Sequence, residues 1–141
     1  MAFEFGSSEW AQALTDEING SSEYRNAARG WGTDFNGNML FAFEADDRLS
    51  NPVNLLIRLQ DGGCQGAEFV ASPEHPDAGF TLSAPFALWK DILDRKTLAA
   101  TAILKGQMRV DGPKMTLLKH TAASRALIHC TASVDTDFPG S

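Results

Sequence analysis

Residues Ala102 to Leu118 read A-I-L-K-G-Q-M-R-V-D-G-P-K-M-T-L-L, and the hydrophobic period changes twice within them. Ala102 to Lys105 ends a helix expected over Thr97 to Lys105, rich in alanine, the strongest helix former, and Gly106 is the residue type on which helices commonly stop. Gln107 to Asp111 then alternates, with Met108 and Val110 on one side of a strand. Gly112-Pro113 turns the chain, after which Met115, Leu118, Ala122 and Ala126 recur at helical spacing along a final helix reaching about Ala132. Helix, strand and helix in so short a span are expected to close one side of an apolar interior.

Upstream of that stretch, Ser83 and Pro85 open a helix on which Phe86, Trp89 and Leu93 share a face opposite Asp91 and Asp94. Before it the period is two residues. Met39, Phe41 and Phe43 alternate with Leu40, Ala42 and Glu44 between Asn38 and Ala45, and Val53, Leu55, Ile57 and Leu59 alternate between Pro52 and Gln60. Asp46-Asp47 and Asn51-Pro52 punctuate the link, as a hairpin connection would. Shorter strands are expected over Ala67 to Ala71, carrying Phe69, and over Gly79 to Ser83, carrying Phe80 and Leu82. Read in order, the first four strands form a meander, and Gln107 to Asp111 adds a fifth. One sheet face is apolar and must be covered by helices, a two-layer α+β arrangement.

The remaining pieces flank this core. A helical arm is expected over residues 7–29, with Ser8 capping a first segment, Asn19-Gly20 ending it, and Ser21 or Ser22 capping a second. The core runs over 32–132 and an irregular tail over 134–141, the whole of 1–141 forming one domain. A chain of 141 residues is long enough to bury a core without staples.

Composition narrows the function. Apolar residues make up 43% and charged residues 21%, ordinary for a globular chain. No apolar run approaches the ~20 residues needed to span a bilayer, and the first residues have no basic and apolar leader pattern. Cys64 and Cys130 lie in unlike contexts without C-x-x-C spacing, as free thiols in a reducing, cytoplasmic compartment would. The net charge is -6, yet Pro85 to His129 holds eight Lys or Arg against three Asp, leaving -11 on the rest. That basic segment could meet an anionic membrane surface transiently or be a solvated helix face. An acidic chain without an aromatic and basic stripe is a poor match to nucleic acid.

Catalytic constellations fail on spacing. His120 and His129 are nine positions apart, about 180° around a helix, and no H-x-x-x-H or paired C-x-x-C pattern occurs. Cys130 and His129 are adjacent, so on a helix they diverge by about 100°. Gly106 and Gly112 have the wrong separation for a P-loop, and Pro113 stands before Lys114. No catalytic residue, metal ligand or cofactor is assigned.

The order of pieces carries more. A strand, the Phe86 to Leu93 helix around Trp89, an alanine-rich helix, L-K-G-Q-M-R-V-D-G, and a helix beginning K-M-T-L-L-K together resemble the sterol carrier protein 2 family of lipid-binding domains. The resemblance spans about Gly32 to Ala132 and is most specific from Phe86 to Lys119; Pro113 departs from the family, which usually has a small polar residue there. It implies a five-stranded, mainly antiparallel sheet with helices over one face around a hydrophobic tunnel, and non-catalytic carriage or presentation of a fatty acid, fatty acyl-CoA, sterol-like or isoprenoid lipid. By position, Phe41, Phe43, Leu55, Ile57, Phe86, Trp89, Met108, Met115 and Leu118 are expected to border the tunnel. The peroxisomal signal of some members is not matched by Phe138-Pro139-Gly140-Ser141. An alternative expectation is an accessory subunit that presents an apolar substrate to a partner enzyme or scaffolds it; a homodimer is also allowed, and recovery of only a monomer or homodimer would argue against the accessory role.

Overall fold

A computed structural model describes residues 2–139. Its main sheet contains five strands: β2 (Met39–Glu44), β3 (Val53–Gln60), β4 (Gly63–Val70), β5 (Phe80–Pro85) and β6 (Arg109–Asp111), in the order β4-β3-β2-β5-β6. A two-residue strand β1 (Phe3–Glu4) pairs in parallel with β7 (Thr136–Asp137), so part of the expected irregular tail is tied to the start of the described chain. Ser141 and Gly140, also placed in that tail, lie outside the described residues.

The strand register explains the layering. Phe41 lies opposite Leu55 on β3 and Leu82 on β5, and Met39 lies opposite Ile57 and Phe80, so one face is continuously apolar. These side chains join the main core, whereas Leu40, Ala42 and Leu56 form a small second cluster on the opposite face with Val70 and Ala78 packed against it. The helices α1 (Ser8–Gly20), α3 (Phe86–Leu93) and α6 (Thr121–Ser133) bury Trp10, Leu14, Ile18, Trp89, Leu127 and their neighbours into the first face. The fold is α+β with a mostly antiparallel sheet and helices on its larger apolar face.

The meander ends one strand early. β2, β3 and β4 are successive antiparallel neighbours, but β5 crosses back to pair in parallel with β2 rather than with β4. The physical reason is burial. β2 is shielded along nearly its whole length, and only a neighbour on each side satisfies the backbone groups of a strand so placed. The β4 edge is met by a side chain instead: Asn19, at the end of α1, donates from Nδ2 to the Cys64 carbonyl at 2.9 Å and accepts from the Cys64 N–H at 2.8 Å. β4 is also longer than the expected Ala67 to Ala71, because Cys64 to Ala67 pairs with β3 across a bulge at Arg58-Leu59.

Helix boundaries follow the capping chemistry. Ser7, one residue before the expected Ser8, caps α1 by accepting the Trp10 N–H at 3.2 Å, and Ser21 caps α2 (Ser22–Ala27) through Tyr24 N–H at 3.0 Å. Helix α3 has no adjacent cap, since Ser83 and Pro85 belong to β5. Its exposed amide is satisfied from a distance, with Ala87 N–H donating to Asp46 Oδ2 at 2.7 Å. Helix α4 covers Ala99–Leu104. The single final helix expected from Met115 is two, α5 (Lys114–Lys119) and α6, divided at His120, whose ψ of 44° leaves the helical range. The His120 ring packs 5.3 Å from Trp31 and 6.3 Å from Phe35, so tertiary aromatic contact fixes the break. Between α4 and α5, Gly112 has φ 129°, and a Cβ there would come within 2.6 Å of the Gly79 carbonyl oxygen. Only glycine allows the β6 end to pass so close to β5.

Candidate functional site

An apolar pocket of about 140 Å³ lies where α3, α4, α5 and α6 meet over β5. Its walls follow from helix periodicity. Helix α6 contributes Thr121, Ser124, Arg125, Ile128 and His129, the i, i+3, i+4, i+7, i+8 positions of one face. Leu98, Ala99, Ala100 and Ile103, at the start of α4 and along it, contribute a second part of the lining. Leu117 and Leu118 of α5, Ile92 of α3, Arg95 and Thr97 after it, and Leu82 of β5 complete it. Arg95 adopts φ 64°, which turns the chain sharply out of α3 toward α4. A smaller void of about 10 Å³ among Tyr24, Trp31, Met39, Leu59, Ala123 and Leu127 also touches Ser124.

The lining includes the polar Thr97, Thr121 and Ser124 and three groups that are basic or can become so. Arg95, Arg125 and His129 line it, but His129 turns its Nδ1 to within 3.2 Å of Glu23 Oε1 on α2. It therefore faces an acid on another helix and not its neighbour Cys130. Burial raises the pKa of Cys130 above its ordinary value, and burial does the same to Cys64, despite hydrogen bonding to Gly66 and Thr15. A thiol held protonated is a poor nucleophile. Among the described residues, no three His, Cys, Asp or Glu side chains gather as a metal site.

The residues expected at the cavity occupy three kinds of place. Leu118 lines the pocket. Met115, three positions earlier on α5, is 66% exposed. The other seven are buried in the core: Phe41, Leu55, Ile57, Phe43, Phe86, Trp89 and Met108. Trp89 is held between Phe41 and Phe43, with ring centroids 4.7 and 4.8 Å away, and its Nε1–H donates to the Ala42 carbonyl at 3.0 Å. Phe5, from the segment after β1, adds edge contacts to Phe43 and Trp10 on the same aromatic layer. The α4 wall was not singled out in the sequence. Its signal was the run of small residues at 99–102 followed by Ile103, which reads equally as plain helix propensity.

A five-stranded sheet with helices on its larger apolar face and an apolar pocket at the helix junction defines the sterol-carrier type of α+β domain. The chain belongs to the SCP-2 sterol transfer family, whose model matches residues 34–123. Membership implies lipid binding or transfer, the activity of that family. The chain is similar to a crystal structure of sterol carrier protein 2 at 26% identity, with a TM-score of 0.80 over 92% of this chain and 98% of that one. A conserved hypothetical protein of Thermus thermophilus shares the fold at 24% identity and TM-score 0.78, covering 97% of this chain and 94% of that chain. A stereoselective inverting sec-alkylsulfatase from Pseudomonas sp. contains the fold as a part, with TM-score 0.52 and 19% identity over 82% of this chain and 16% of that one. No curated protein sequence matches significantly. No helix among the described residues is long and apolar enough to cross a membrane.

Proposed function

We propose that the chain binds a single hydrophobic ligand, a fatty acid, fatty acyl-CoA, sterol-like or isoprenoid lipid, and carries it without chemical change. The observation that supports this reading best is the apolar pocket walled by α4, α5 and α6 in a member of a sterol transfer family. Leu118 lines the pocket and the exposed Met115 lies three positions earlier on α5, and on this reading a long ligand would extend from them toward the buried face of Phe41, Phe43, Leu55, Ile57, Phe86, Trp89 and Met108. The shared border at Ser124 between the pocket and the smaller void marks a direction along α6 in which the ligand can lengthen its seat.

The energetics need no polar recognition. A long chain offers about fifteen methylenes worth ~12 kcal/mol at ~0.8 kcal/mol each, and association removes ~4 kcal/mol or more; an open space of about 140 Å³ is benzene-sized, so seating the whole chain requires the helices around it to part. The remainder, ~8 kcal/mol before the cost of that opening, corresponds at best to a micromolar Kd. Selectivity on this basis is loose and follows the length and width of the seat.

Solvent extraction of the purified protein with mass spectrometry, and displacement of a fluorescent fatty acid, test the reading. Saturable binding is expected; its absence together with the absence of extracted lipid would refute it. Ala99→Phe places a ring in the α4 wall and should weaken binding about tenfold or more, the loss of roughly two buried methylenes, while the thermal midpoint stays within ~2 °C of wild type, the scale of a surface-like change. Occurrence of the same fold within the sec-alkylsulfatase motivates a second reading, an accessory subunit that presents an apolar substrate to a partner enzyme. A stoichiometric enzyme recovered with the protein from its host distinguishes that reading from free carriage.

A further inference from the structure

We propose that the aromatic cage filled by Phe5 is a second ligand seat, which receives the apolar end of a long-chain ligand when the segment before α1 swings out about Gly6. The Phe5 ring is surrounded by five others: Phe43 at 5.0 Å between centroids, Phe138 at 5.5 Å, Trp10 at 5.6 Å, and Phe69 and Phe86 at 5.9 Å each. They come from β2, the residue after β7, α1, β4 and α3, so the cage belongs to the folded body and Phe5 enters it from outside. Among residues 2–6 only Phe5 is buried. The segment therefore meets the core through this one ring.

Its attachment is slight. β1 and β7 have two residues each, with the Phe3 N–H donating to the Asp135 carbonyl at 2.8 Å and the Phe5 N–H to the Asp137 carbonyl at 3.1 Å. Their register sets Glu4 opposite Asp137, and like charges directly opposite weaken a strand pair. β7 has a further tie of its own, because Trp10 Nε1–H donates to Thr136 Oγ1 at 2.8 Å. Separation of the pair thus leaves β7 on the body and frees β1. Gly6 supplies the pivot: its φ of 97° is in the region that favours glycine, and a Cβ there would meet nothing within 4 Å, so conformation and not packing accounts for the residue. The turn across it is closed by the Ser7 hydroxyl donating to the Glu4 carbonyl at 2.6 Å, an exposed contact that water can replace.

Position gives the seat its ligand. The pocket lies at the Ile92 end of α3 and the cage at the Phe86 end, about 9 Å apart along the helix axis. Phe43 belongs both to the cage and to the layer around Trp89, whose ring centroid is 4.8 Å away. A short chain is held by the pocket alone. A chain long enough to pass along α3 reaches the cage, and it does so in place of Phe5. The rings offer contact to a hydrocarbon end and little to a headgroup, since the indole N–H among them is already given to Thr136. Phe5 is then an internal competitor that sets the length above which binding requires the clasp to open.

The inference rests on the reading that the chain carries a hydrophobic ligand, and a reversible cross-link tests it. In Glu4→Cys with Asp137→Cys the register partners are about 4.8 Å apart across the strands, within the roughly 4.4–6.8 Å over which a disulfide closes, and the native Cys64 and Cys130 are buried. Titration calorimetry with decanoic acid and with oleic acid compares the oxidised and reduced forms. Oxidation keeps Phe5 in its cage and should weaken oleic acid binding about tenfold or more, the low end of what burying one large apolar side chain is worth, while decanoic acid stays within about twofold. Phe5→Ala, measured below its own thermal midpoint, should bind oleic acid about tenfold more tightly than wild type, since no ring has to leave. Equal oleic acid binding by the oxidised and reduced forms, equal losses of both acids on oxidation, or oleic acid binding by Phe5→Ala no tighter than wild type would overturn the proposal. The cross-linked pair retains Phe5 and decides the point even for a Phe5→Ala chain that does not fold. Binding of neither acid to any form removes the carrier reading and this seat with it, whereas binding of both acids regardless of the cross-link removes the seat alone.

Discussion

Trp89→Phe distinguishes a structural tryptophan from a ligand contact. The indole is fully buried, lies against Phe41 and Phe43, and donates from Nε1 to the Ala42 carbonyl on the central strand. Phenylalanine keeps an aromatic ring on that layer but cannot donate, so the hydrogen bond is lost for ~1 to 2 kcal/mol. The smaller ring also leaves space in a close-packed layer, adding ~1 kcal/mol. The sum is about 2 to 3 kcal/mol. With ~2.1 cal/mol/K of unfolding entropy per residue, a chain of this size has ~0.3 kcal/mol/K, so the thermal midpoint should fall by about 7 to 10 °C. Differential scanning calorimetry measures the shift, and displacement of a fluorescent fatty acid below the new midpoint measures affinity. A midpoint lowered by less than ~2 °C would refute the structural role assigned to the indole. If that small shift came with a large loss of affinity, Trp89 would instead be a wall of the ligand seat.

Two further perturbations follow from titratable groups. Asp46 is held below the ordinary aspartate value, first by the Ala87 N–H and then by the Arg48 N–H, with Leu49 and the Arg48 charge adding to them. A depressed carboxylate contributes stability that is present above its unfolded pKa, about 4, and lost as pH falls through the lower folded value. Asp46→Asn should therefore unfold at a lower temperature than wild type at pH 7, and the gap should narrow on acidification below about pH 4; a gap that stays constant would contradict the capping role. The two thiols are buried, with pKa values raised first of all by that burial. Iodoacetamide at neutral pH should label neither in the folded protein and both in guanidinium chloride, read by intact mass, and rapid labelling of Cys130 in the native state would reopen a thiol chemistry there.

Local patterns carried the layers of this fold well. Period-two alternation in Met39 to Glu44 and Val53 to Gln60 located the two central strands, because each must present one face to the helices. Capping residues located the arm to within one position. What local patterns do not encode is which strand a strand will choose. The parallel pairing of β5 with β2 is decided by the need to satisfy both edges of a buried strand, and no residue in Phe80 to Pro85 announces it. The division at His120 depends likewise on Trp31 and Phe35, remote in sequence. Large apolar residues could be named as belonging to one interior, but core and cavity share their composition, so the open space beside Ala99 and Ala100 had no distinct signature.

The parallel seat of β5 also bears on how the protein reaches its native state. β2, β3 and β4 are joined by short local connections, while β5 must return past β4 and β3 before Met39 can meet Phe80 and Phe41 can meet Leu82. Local pairings assemble ahead of distant ones. Until that return is complete, the most apolar strand of the sheet is an open edge with unpaired amides, the condition under which chains pair with one another. Refolding is thus a contest between β5 and a second molecule for the same strand, and dilution favours β5.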